Sequence, residues 1–75
     1  MTRDEAIATL RVSLMGIQYP EARAAAFQAF DALVHDVDAG EQVVLVAYEE
    51  LIRALPDHRH TIDRIMFSRR TEKTS

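Results

Sequence analysis

Apolar and polar positions recur at helical spacing in four stretches of this 75-residue chain. In the first, Ala6, Ile7, Leu10, Leu14 and Ile17 share one face at about 100° per residue, while Val12 and Met15 fall off it. Thr2 and Glu5 stand ahead of that face at the spacing of a capping box. The pattern predicts a helix over Arg3–Ile17, with Gly16 and Pro20 bracketing its end. Pro20 suits the opening position of a second helix, where a missing N–H costs nothing. That helix is predicted over Pro20–Val37. Ala26, Phe27, Phe30, Leu33, Val34 and Val37 lie on one side, and Glu21, Gln28, Asp31, His35 and Asp38 on the other. Its many alanines favour helix and leave little bulk between it and a neighbour.

A third helix is predicted over Glu41–Leu55. Gly40 either closes the second helix as a left-handed residue or lies within a capping box of Asp38 and Glu41 that opens the third. Val43-Val44-Leu45-Val46 taken alone reads as a buried strand, but helical spacing continues from Ala47 through Leu55. On a helical wheel the apolar residues of this segment cover roughly 200°, against the usual 100° or so. The helix is therefore central in the fold or half of a subunit interface. Pro56 stops it, because the residue before a proline avoids helical backbone. A shorter fourth helix is expected from about Asp57 to Arg69, with Ile62, Ile65 and Met66 inward, His58 on the same side and Phe67 pointing elsewhere. Residues 71–75 read as a disordered polar tail.

These elements predict an all-α fold: one domain over residues 1–70, a small bundle of three to four antiparallel helices joined by short loops. The expected core is Leu10, Leu14, Phe27, Phe30, Leu33, Val34, Val44, Tyr48, Leu51, Leu55, Ile62 and Ile65.

Composition changes the picture in two ways. Hydrophobic residues make up 48% of the chain, too many for a disordered one. The absence of cysteine removes disulfides and thiolate metal sites and fits a reducing cytosol. With an acidic start at Asp4 and Glu5 and no long apolar run, the chain reads as cytoplasmic and unprocessed, with no membrane partner. Usage rich in Ala, Arg, Asp and Val suggests a bacterial source.

Charge is unevenly placed. Residues 1–57 hold four arginines against ten carboxylates, a net of −6. Residues 58–75 hold Arg59, Arg64, Arg69, Arg70 and Lys73 against Asp63 and Glu72, a net of +3. An acidic body with a basic end orients charged partners.

Candidate chemistry is sparse. His58 and His60, two apart, point about 200° from each other on a helix and do not chelate one ion. Arg53 and His58, five apart, are loosely similar to the Arg–His pairing of HEPN-type ribonucleases. That resemblance implies a histidine handling a proton beside an arginine that stabilises phosphate charge. Pro56 inside the spacing departs from the family pattern. Ser13 and Ser68 lie in no nucleophile setting, and Gly16 and Gly40 form no phosphate loop. No enzyme, cofactor, metal or small-molecule substrate is expected.

What remains is binding. Val12, Met15, Val46 and Phe67 lie outside the inward stripes of their helices and are the expected apolar contacts with a partner. Arg64, Arg69 and Arg70 are the expected basic contacts that steer it. The sequence thus points to a small regulator or adaptor that binds another protein. A homodimer through the third helix and part of the first is also expected. The alternative is a nucleic-acid-binding regulator using the basic C-terminal helix, against which stands a pI near 5.5.

Overall fold

The computed structural model describes residues 2–36 and 38–74, with side-chain surroundings through Arg69. Val37 and the side chains of residues 70–75 lie outside the described residues, while the backbone of residues 71–74, expected as a disordered tail, continues the last helix. The order is α1 (Arg3–Met15), α2 (Pro20–Val34), α3 (Glu41–Ala54), a 3-10 turn (Pro56–His58) and α4 (Arg59–Thr74), with no strand among the described residues. The fold is an all-α bundle. Val43 to Val46, the segment with a strand alternative, is helix.

Local chemistry sets the helix ends. Thr2 Oγ1 accepts the Glu5 N–H at 3.2 Å, and its hydroxyl donates to the Glu5 carboxylate at 3.1 Å, so this pair caps α1. The helix closes at Met15, ahead of the expected Ile17, because the Gly16 and Ile17 N–H groups turn back to Ser13 O and Leu14 O, both at 3.1 Å. Two N–H groups, of His35 and Asp36, share the carbonyl of Asp31 at 2.8 and 3.1 Å and end α2 at Val34. Neither reading of Gly40 holds. Its φ of −68° and ψ of 163° are extended backbone, and it is itself the N-cap of α3, with no side chain capping it. Leu55, held at φ −133° and ψ 68° by the following proline, ends α3. The 3-10 turn then precedes α4, which begins at Arg59 instead of near Asp57.

The core is sealed by residues from every α-helix. Leu10, Leu14, Phe30, Leu33, Leu51, Ile62 and Ile65 are almost fully buried, and Ala6, Ala26, Ala29, Ala39 and Ala47 fill the narrow places between them. Phe27, Tyr48 and Leu55, expected inside, are only partly buried at the core's edge. Each lies at the margin of its helix's inward stripe, where cover depends on how far the neighbour reaches. Phe30 is the central ring. Phe27 and His35 meet it edge-on at 6.3 and 6.1 Å between centroids, and the Arg11 guanidinium lies 5.9 Å from its centre.

Helix α2 packs most closely with α3, and α1 with α4, and the two pairs stack on each other. The carboxyl end of α2 carries no cation of its own. Two arginines from distant sequence supply it. Arg69 donates to Leu33 O at 3.1 Å and to Ala39 O at 3.4 Å, and Arg3 donates to Val34 O at 3.5 Å. Because residue 3 opens α1 and residue 69 lies late in α4, their meeting here makes α1 and α4 antiparallel. The molecule measures 38 × 26 × 17 Å along its principal axes, thin enough for two helix layers at 8–10 Å spacing.

Arg69→Met keeps the aliphatic stem and removes both charged donors. Part of the loss is offset by solvent, so the expected cost is about 1–2 kcal/mol, or a fall of roughly 4–8 °C in Tm per kcal/mol in a domain this size. An unchanged melting curve shows that water serves those carbonyls equally well. At Gly40 a Cβ meets nothing within 4 Å, and the backbone suits any residue. Gly40→Ser therefore gains a few tenths of a kcal/mol through a side-chain cap on α3, read as a small rise in Tm.

Candidate interaction surfaces

Among the described residues, seven large apolar side chains stand in solvent: Val12, Met15, Tyr19, Val43, Leu45, Val46 and Phe67, from 44% exposed at Leu45 to 76% at Tyr19. All but Tyr19 divide between the two helix pairs. On α1, Leu10 and Leu14 take the inward positions, which turns Val12 and Met15 to the opposite side of the same helix. On α4, Ile62 and Ile65 point inward and Phe67 outward. On α3, Val44, Ala47 and Leu51 are buried, and Val43, Leu45 and Val46 flank them in solvent.

Val12, Met15, Val46 and Phe67 are thus all exposed. The sequence reading did not single out Tyr19, Val43 and Leu45. The last two lie within the 200° arc of α3, and a wheel cannot show which part of a wide arc is covered. Tyr19 lies between helices, beside Pro20, outside any periodic stripe.

The basic residues behave differently from one another. Arg64 is exposed on α4. Arg69 is half-buried and holds the carbonyls of Leu33 and Ala39, so its guanidinium serves the fold. Arg70 lies outside the described side chains.

Two open depressions carry polar groups. One, of about 300 Å³, is lined by Tyr48, Glu49, Ile52, Arg53 and Arg59. At its edge the Tyr48 hydroxyl donates to Asp63 Oδ1, and Arg59 Nε lies 3.9 Å from Asp63 Oδ2. The hydrogen bond to Asp63 is the main reason that the Tyr48 phenol is raised above its usual value of 10.0, with burial and the Asp63 charge adding to it and Arg59 opposing. Glu49 lies with Arg53 and Arg59 in the lining, and Asp63 adds a second carboxylate at the edge. His58 does not line this depression, so Arg53 and His58 are not brought together over it. The second depression, of about 540 Å³, is lined by Asp31, Ala32, His35 and Asp36, with His35 Nε2 3.9 Å from Asp31 Oδ1. Neither contains a nucleophile beside a base. Among the described residues no three His, Cys, Asp or Glu side chains are placed to hold a metal ion, and no helix is long and apolar enough to cross a membrane.

No protein-family model, no curated protein and no solved structure matches the chain.

The Tyr48–Asp63 bond makes a pH prediction. A phenol raised in the folded state adds stability that is complete below its ordinary value of 10.0 and is lost as pH climbs through the higher folded value. Tyr48→Phe lacks that contribution at every pH. Wild type should therefore exceed it by about 0.5–1.5 kcal/mol at neutral pH, and the gap should close above pH 10. In a Tyr19→Phe background Tyr48 is the only tyrosine, so its phenolate absorbance reports the titration directly. A gap that stays constant into strong alkali excludes the bond as its source.

Proposed function

We propose that this chain is a small regulatory or adaptor protein that acts by binding another protein through exposed apolar helix surfaces. One observation carries the reading: among the described residues, seven large apolar side chains remain in solvent although the core is sealed. Single exposed apolar residues are ordinary on any surface. Here Val12 and Met15 are one turn apart on α1, and Val43 and Val46 one turn apart on α3, so each pair presents a continuous apolar strip.

The mechanism is occlusion. An apolar helix face seats in a groove of the partner, and charges at the rim, among them Arg64, set its orientation. Such a role suits a bacterial or phage inhibitor or modulator working in the cytoplasm, without a cofactor or a small-molecule substrate. The competing reading, a nucleic-acid binder led by α4, is weakened by Arg69, since that side chain already serves backbone carbonyls.

A photo-crosslinking side chain placed at Val12 or Val46, with exposed Gln28 as control, tests the reading in the producing cell. Discrete adducts to protein are expected at 12 and 46 and none at 28. Adducts to nucleic acid, or equal labelling at all three positions, overturn it. Titration with generic duplex DNA gives the complementary result: strong binding that weakens steeply as salt rises favours the nucleic-acid reading instead.

A further inference from the structure

The exposed apolar residues differ in the charges that their own helices set around them. A helical side chain meets those three and four positions away. For Val43, Leu45 and Val46 on α3 these neighbours include three exposed carboxylates, Glu41, Glu49 and Glu50, and no lysine or arginine. Arg53, in the last turn of α3, lies one turn beyond Glu49 and two turns beyond Val46. On α1 the one charged residue at that spacing from Val12 and Met15 is Arg11, whose guanidinium lies over the Phe30 ring. Phe67 on α4 has both signs at that spacing, Asp63 and Arg64. The apolar residues of α3 are therefore the ones flanked by carboxylates.

We propose that the outer face of α3 docks against an apolar surface of another protein that is rimmed by lysine and arginine. This rests on the reading of the exposed apolar residues as docking surfaces and adds which helix engages and what chemistry it selects. Val43 and Val46 supply apolar contact from successive turns, as in a helix laid into a groove. Glu41 precedes them and Glu49 and Glu50 follow, so the complementary cations flank the partner's apolar patch at both ends. Opposite charge across the rim speeds encounter, and like charge rejects wrong partners. The same carboxylates disfavour two other occupants. A second copy joined two-fold through α3 places the same patch on both sides, and with it acid rim against acid rim. A phosphate backbone likewise meets its own sign.

The test places the photo-crosslinking side chain at Val46 in two backgrounds, wild type and Glu49→Gln with Glu50→Lys, and at Val12 in wild type. Glutamine and lysine are good helix formers, and a cation suits the later turns of α3, so the helical circular dichroism of the double variant should be intact. Glu49→Gln with Glu50→Gln is the second variant, used if the first fails to fold, and a smaller fall in yield is expected of it. In the producing cell, wild type should give a discrete adduct at 46. Mass spectrometry should map it to a segment of another protein in which lysine or arginine borders apolar residues. The double variant should lower its yield about tenfold, as the loss of two rim pairs and the gain of one like-charge contact implies. Equal yields in the two backgrounds, a crosslinked segment without lysine or arginine, or an adduct of twice the chain's own mass, which marks a second copy, overturns the proposal. Adducts at 12 with none at 46 overturn it too, yet leave protein binding through another helix standing. Silence at both positions removes both readings.

Discussion

The carboxyl end of α2 is where the fold is tied together. Its last carbonyls have no partner within the helix, and its final turn offers no cation. Arg69 reaches Leu33 and Ala39, spanning the end of α2 and the loop before α3, and Arg3 reaches Val34 beside them. These contacts bring the start of α1 and the later part of α4 to one end of the molecule, so the two helices run antiparallel. Ile62 and Ile65 on α4 then pack with Leu10 and Leu14 of α1 inside a single core. Without that tie, nothing in the periodicity of α4 fixes its direction across the bundle.

The same constraint shapes the surface. A four-helix chain of this size is two layers deep, so each helix has one side to bury and one to expose. Leu10 and Leu14 use the inward side of α1, and Val12 and Met15 have nowhere to go but solvent. Helix α3 shows this most strongly: α2 and α4 cover Val44, Ala47 and Leu51, and no further element lies against Val43 and Val46. The apolar excess thus follows from geometry.

Two polar contacts beside the open depressions, Tyr48 with Asp63 and Arg59, and His35 with Asp31, run across or along helices. Tyr48 illustrates the effect. It was expected in the core, yet its ring lies at the edge and its hydroxyl bridges α3 to α4, where it steadies their packing.

Periodicity, Thr2, Pro20 and Pro56 determined the helices by themselves, because capping, a missing N–H and restricted backbone act within a few residues. Most of the core was equally legible, from Leu10 to Ile65, since an inward stripe is a property of one helix. The exposure of Val12, Met15, Val46 and Phe67 could be anticipated for the same reason. Tertiary structure alone decided the rest. Gly40 became a cap in extended backbone, because the path of a loop depends on the helices that it joins. Arg69 passed from a surface cation to a structural donor because its acceptors lie 36 and 30 residues away in sequence. Which part of α3's wide apolar arc is covered was likewise settled by its neighbours, for a side chain's burial is a property of what packs over it and not of the helix that carries it.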